Sequence, residues 1–310
     1  MRLHYFQQFL NFWWLRPESA MFSALQAESS YRTLNCFGNG HAAIDISCGD
    51  GIYSFITLGG EIGPTSDAFL SIRLGDTFRK GNFDSFDHFD DSYSVDIKKY
   101  PEKHYEYGTD WKENLLKKAR KLDLYKKDFL HDNNYKMPFD NEVMRYIYTN
   151  ATYWVENFVY HINDIVRITQ PGGCIVLHMM TNHVTKLTSR EYIPFMGERF
   201  HNIIDAGRLS TWKGLKSKDE YLKIIEKIKD VDIYTIEPIF GGIPGMIWDI
   251  GLRPLFNPLT KMANLHSKED RIKIKEEWCS IFINLFEEFL NNYKADDLSA
   301  FYYLIVLKKK

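Results

Sequence analysis

Asp45, Cys48, Gly49 and Gly51 stand directly after the apolar run Ala42-Ala43-Ile44. An acid set among glycines is a ligand-holding arrangement. The glycines let a ligand come close to the backbone, and a helix beginning at Ile52 would add free N–H groups and the positive end of its dipole. Other residues with chemistry in them sit at the ends of further apolar runs: Asp110, Asp132 and Asn133, then Asn150, Tyr153 and Trp154, then His178, Thr181, Asn182 and His183. Of these, His183 is the first candidate for a general base; the alternative is a surface or packing histidine. Asn150 is placed to orient a ligand, and Tyr153-Trp154 to stack on one or to pack in the core. Arg253 follows Trp248-Asp249-Ile250-Gly251-Leu252, where it could hold an anionic group or pair with Asp249.

Those residues need elements to hold them. Residues 42–46 read as a short buried strand, Ser47 to Gly51 as a tight turn and Ile52 to Leu58 as a helix, the first half of a nucleotide-binding βαβ unit. Tyr105 to Asp110 reads as a strand, Lys112 to Lys121 as a basic amphipathic helix and Met144 to Thr149 as a strand. The apolar spacing of 154–169 is helical; Gln170-Pro171-Gly172-Gly173 stops it, and Cys174 to Met180 is a buried-type strand. A helix over 216–229, a strand over 231–236, a long helix over 268–292 and a terminal strand over 301–307 follow. Strands alternating with helices give an α/β fold with a mainly parallel sheet. The residues between 59 and 104 read as irregular. Their acidic run, Phe83 to Asp91, lacks the central Gly and terminal Glu of a calcium loop, so it reads as a solvated loop with aromatic anchors. The aromatic-rich start, Met1 to Leu15, reads as a helix packed on the body, or else as a lid or membrane-surface helix, and Pro17 starts a second helix.

The 310 residues carry a formal charge of −2, which gives no global reason to expect nucleic acid as a partner. No window approaches a membrane-spanning length. Cys36, Cys48, Cys174 and Cys279 are widely spaced, with no disulfide framework and no zinc spacing, so a reduced cytoplasmic setting is the default. Nor does any other cluster resemble a metal site. Lys308-Lys309-Lys310 reads as a solvated tail.

The stretch from Ala43 to Gly51 resembles the first motif of the class I S-adenosylmethionine-dependent methyltransferases, within them the type 11-like group. Asp45, Cys48, Gly49 and Gly51 match, while Ser47 replaces the usual first glycine; the replacement is tolerable if its backbone is not at positive φ. Tyr107-Gly108-Thr109-Asp110 resembles the second-strand motif, whose acid accepts from both ribose hydroxyls; the resemblance gives Asp110 that role, beside Trp111, and two acceptor oxygens suit a vicinal diol. Phe129 to Asn133 with Met137-Pro138-Phe139 resembles the segment whose acid contacts the adenine amino group, which points to Asp132 and Asn133. Gln170 to Gly173 resembles the turn before strand five. Each acid also has a plainer reading: Asp45 as an anchor of the glycine turn, Asp110 as a helix N-cap, Asp132 as part of an ordinary turn.

The resemblance implies a doubly wound, Rossmann-like sheet of seven strands, the last antiparallel and beside the fifth. It implies a division into an N-terminal helical segment or lid (1–30), a core that binds S-adenosylmethionine (31–238), an insertion or cap (239–298) and the last core strand with its tail (299–310). The cofactor leaves as S-adenosylhomocysteine, with Asp45, Ser47, Cys48, Gly49, Gly51, Asp110, Trp111, Asp132, Asn133 and Asn150 as the cofactor-binding set, and His183, Asn150 and Tyr153 as the catalytic one. The expected reaction is methylation of a small molecule or sugar, on oxygen, of the kind that decorates capsule or lipopolysaccharide in bacteria. A small-molecule N-methyltransferase and an inactive binding protein of the same fold are the alternatives.

Overall fold

The computed structural model describes residues 1–37, 42–70, 72, 87–205 and 212–310. The break expected at Gly38-Asn39-Gly40 and the first part of the acidic run, residues 83–86, lie outside them. Nine strands run β1 (Ala43–Ile46), β2 (Glu61–Ile62), β3 (Ile97–Lys99), β4 (Tyr105–Asp110), β5 (Tyr125–Leu130), β6 (Met144–Thr149), β7 (Thr169–Met180), β8 (Val231–Gly241) and β9 (Ala300–Lys309) among the described residues. Seven of them form one sheet in the order β5-β4-β1-β6-β7-β9-β8. β1 is parallel to β4 and β6, β5 to β4 and β7 to β6, whereas β9 is antiparallel to both β7 and β8. This is the doubly wound sheet with an antiparallel last strand beside β7 that the sequence resemblance implies. β1 is short because every one of its residues is buried and the glycine turn follows at once.

The helices are α1 (Arg2–Phe12), α2 (Pro17–Tyr31), α3 (Ile52–Thr57), α4 (Glu113–Ala119), α5 (Phe158–Ile168), α6 (Ile193–Asp205), α7 (Lys218–Ile225), α8 (Gly242–Ile250), α9 (Phe256–Ala263) and α10 (Lys268–Asn292) among the described residues. Their ends follow local chemistry. Pro17 opens α2. Asn157 caps α5 through Tyr160 N, so the helix begins four residues after Trp154. Ser217 and Glu220 form a capping box on α7. α1 buries Tyr5, Phe6, Phe9, Leu10 and Phe12 against α2, α3 and α10. The buried Lys275 of α10 bonds the carbonyls of Asn11, Pro64 and Ser66, and Arg271 pairs with Asp67 at 2.8 Å. The N-terminal helices are thereby tied to the long helix near the end of the chain.

The strands differ from the sequence expectation in three places. β5 is an edge strand whose Lys126 and Lys127 are exposed, so it lacks an apolar pattern. β2 and β3 make a separate antiparallel pair within the stretch read as irregular. The Gln170–Gly173 turn lies inside β7, where the register with β6 shifts and Gly172 takes φ +71°.

Beneath β6 and β7 lies a buried polar layer facing α2. Gln26 Nε2 donates to Tyr148 OH at 3.0 Å, and Ser29 Oγ donates to the Gln26 carbonyl at 2.7 Å. Ser29 Oγ is 2.8 Å from His178 Nε2, and Tyr148 OH is 3.2 Å from His178 Nδ1. Since the Ser29 proton is committed to a carbonyl, the imidazole carries its hydrogen on Nε2 and accepts from Tyr148 at Nδ1. Burial pushes the His178 pKa down to about 3, so it stays neutral.

Candidate functional site

All the parallel strands of the sheet end on one side, and most of the residues singled out by sequence lie there in strand order. At the end of β1 the chain turns with positive φ at Ser47 (+61°), Gly49 (+61°) and Gly51 (+77°). The two glycines do different work. A Cβ on Gly49 would meet nothing within 4 Å, so that backbone faces open space. A Cβ on Gly51 would meet Leu122 Cδ1 at 3.1 Å and a Tyr125 ring carbon at 3.2 Å, so Gly51 allows close packing as well as the left-handed start of α3. Ser47 occupies the conformation that the sequence reading required it to avoid. A non-glycine residue there costs on the order of 1–2 kcal/mol. The Asn133 Nδ2 bond to Ser47 Oγ, 2.8 Å, helps hold it.

Asp45 is turned into the protein. Its Oδ2 accepts from Ser54 Oγ at 2.5 Å and from Tyr125 OH at 2.7 Å, joining β1, α3 and β5 under the turn. Burial raises its pKa to about 6, against the lowering effect of those two bonds. Asp110, at the end of β4, reaches back to the turn: Oδ2 accepts from Gly49 N at 3.0 Å and Oδ1 from Lys112 N at 2.9 Å. It is 4% exposed, and burial raises its pKa. Each oxygen has accepted one hydrogen bond and has room for another. Trp111, beside it, is exposed.

After β5 the two polar residues separate. Asp132 is exposed, with Oδ1 taken up by Asn134 N and Nδ2, both at 2.9 Å, as in an ordinary Asx turn. Asn133 bridges to Ser47, and its Oδ1 is buried with no hydrogen-bond partner among the described residues. His131 Nε2 and both ring nitrogens of the fully buried His161 are also without one among the described residues. Burial holds the His161 pKa down to about 4.

On the other half of the rim, after β6, Asn150 is half-buried and Tyr153 buried, with its ring 5.2 Å from that of the exposed Trp154. His183 is half-buried in the 3-10 turn 182–185 that follows β7. His178 is not on the rim: it belongs to the buried layer beneath. The expected Arg253–Asp249 pair is also corrected. Asp249 is fully buried and takes Arg190 Nη1 at 2.9 Å and Ser189 N at 3.0 Å, while the Arg190 guanidinium lies 4.1 Å from the centre of the Trp212 ring. Arg253 Nε has no partner among the described residues.

Sequence reading missed Ser54 and Tyr125 as the partners of Asp45. The signal was available: Ser54 lies one turn into α3, and Tyr125 opens β5, the strand before Asp132-Asn133. It missed Arg190 because nothing local links positions 190 and 249.

No family model matches the chain, and no curated protein matches it. Solved structures of similar chain trace include a SAM-dependent methyltransferase, possible histamine N-methyltransferase, from Thermotoga maritima. It is 10% identical, with a TM-score of 0.45, over 94% of this chain and 92% of that one. Geranyl diphosphate C-methyltransferase from Streptomyces coelicolor A3(2), solved with Mg2+, geranyl diphosphate and S-adenosyl-L-homocysteine, is 13% identical. Its TM-score is 0.44, over 92% of this chain and 77% of that one. The strand order itself stands on this chain's own pairing. No helix among the described residues is long and apolar enough to cross a membrane.

Proposed function

We propose that the chain is an S-adenosylmethionine-dependent methyltransferase acting on a small molecule or sugar, at an oxygen. The observation that carries the reading is the shelf formed by Gly49 and Asp110. An open backbone at positive φ lies hydrogen-bonded to a strand-end carboxylate that still has acceptor capacity, at the carboxyl edge of the sheet.

The residues fit the cofactor in their chemistry. Asp110 would take the ribose hydroxyls, and Gly49 would give the donor a close approach. Asn133, with an unpartnered buried carbonyl oxygen, suits the adenine amino group better than Asp132, whose Oδ1 already serves Asn134. Asp45 would act by holding the turn. Bound S-adenosylmethionine supplies a sulfonium methyl open to in-line displacement.

The protein's work is then to align the acceptor and exclude water. His183 would take the acceptor hydroxyl proton on its imidazole, with Asn150 and Tyr153 orienting the pair. Decoration of a surface polysaccharide or its precursor is the sugar chemistry that this reading favours, and a cytoplasmic setting goes with it. Equilibrium dialysis against labelled S-adenosylmethionine, with NAD in parallel, tests the reading. Saturable retention of the first alone is expected; retention of NAD instead, or of neither, overturns it.

A further inference from the structure

The elements that follow β7 and β8 expose an unusual amount of apolar side chain. Phe195 is 86% exposed, Ile243 78%, Leu265 85% and Met262 60%. They project from α6, α8, α9 and the turn after it. These elements meet at the 3-10 turn 253–255, which packs against α6, α8 and α9. α6 bends at Gly197 (φ +78°), and residues 191–199 are all exposed, Tyr192, Ile193 and Met196 included. The charge on these segments is lopsided. Lys186, Arg199, Lys213 and Lys261 are exposed on or beside them, against Glu191 and Glu198, in a chain whose formal net charge is −2; the first turn of α10 beyond, Lys268-Glu269-Asp270, adds no net positive charge.

We propose that this apolar, basic surface docks on the headgroup region of an anionic lipid bilayer. Two properties select that occupant. An isologous dimer through this face would bring two copies of one net-positive patch together, whereas an anionic surface complements it. The apolar side chains also project from separate helix ends and turns. A bilayer interface takes up dispersed side chains without needing a matching relief, and apolar residues bordered by Lys and Arg are the composition of interfacial segments. The surface lies beyond the carboxyl ends of β7 and β8, on the side where the candidate site opens, so a docked molecule would hold that rim toward the lipid. The inference does not depend on the methyltransferase reading, because it is tested without donor or acceptor.

The experiment is co-sedimentation of the full chain with vesicles of phosphatidylcholine, with and without about one-third phosphatidylglycerol, at low and high salt. The expected result is binding to the anionic vesicles that weakens about tenfold or more at high salt. The double variant Phe195→Ser/Ile243→Ser should bind about tenfold or more weakly. Both side chains are exposed, so an unchanged melting midpoint confirms that the variant is folded. No binding to anionic vesicles at low salt overturns the proposal. So does equal binding by the double variant, or a concentration-dependent dimer that the double variant abolishes in a chain that ignores vesicles.

Discussion

The two halves of the rim are built differently. On the side proposed for the donor, around β1, β4 and β5, carboxylates are fixed by short bonds to backbone N–H groups and neighbouring hydroxyls: Asp110 to Gly49 and Lys112, Asp45 to Ser54 and Tyr125. On the far side, beyond β7 and β8, the structure hangs on a buried pair between residues far apart in the chain, Arg190 and Asp249, and its apolar side chains face outward. A donor of constant shape can be met by a shelf set by local turns. On the proposed reading the acceptor side is assembled from long-range contacts, which can vary while the local turns of the shelf stay as they are.

That contrast can be broken most forcibly at Arg190. Arg190→Met leaves Asp249 buried without its guanidinium and should cost about 3–5 kcal/mol of stability. A chain in which it also removed donor binding while still folded would show that the two halves are not separable. Urea titration read together with dialysis decides.

Next comes Asp45. Its folded pKa of about 6 lies above the ordinary carboxylate value, so the native state binds the extra proton. The stability it contributes is complete below the unfolded pKa near 4 and lost as pH rises through 6. Asp45→Asn keeps an acceptor for Ser54 and Tyr125 and cannot ionise. It should therefore be more stable than the parent at pH 7, by up to about 3 kcal/mol. The advantage should vanish as pH falls from 6 to 4, with donor affinity changed by no more than a few-fold. A variant equally displaced at pH 4 and pH 7 would deny the buried charge its cost.

Smaller again is Tyr148→Phe, which leaves His178 Nδ1 and Gln26 Nε2 unserved beneath the sheet; a loss of about 2–3 kcal/mol is expected by denaturant unfolding. The smallest effect belongs to Ser47→Gly. Relief of the left-handed backbone offsets the lost Asn133 bond and the added freedom of the unfolded chain, so stability should move by less than about 1 kcal/mol. Donor affinity should fall a few-fold as Asn133 is released. A large gain in both would mean that the bond to Asn133 holds nothing.

The position of the proposed donor shelf was largely legible in the sequence because buried parallel strands are short apolar runs whose ends are marked by the residue that breaks them. Asp45, Asp110 and Asn150 fell at such ends. What the residue types did not disclose was direction: Asp45 points inward, Asp132 spends an oxygen on its own turn, and Ser47 sits at positive φ. β5 escaped because an edge strand needs no apolar face, and Lys126-Lys127-Asp128 has none. The polar layer under α2 did leave a signal, since Gln26, Ser29, Ser30 and Thr33 recur at helical spacing. Only the sheet shows that this polar stripe faces inward, onto Tyr53, Tyr146, Tyr148 and His178. The Arg190–Asp249 pair left none, and Arg253, four residues from Asp249, was the nearer partner by sequence.

The central claim is that the Gly49–Asp110 shelf holds the donor. Calorimetric titration with S-adenosylhomocysteine, run on the parent chain and on Asp110→Ala, tests it most directly. Micromolar binding to the parent is expected, and at least tenfold weaker binding to a variant whose unfolding shows it to be folded, a loss of about 1.4 kcal/mol or more. No heat of binding from the parent, or equal affinity in the folded variant, would contradict it.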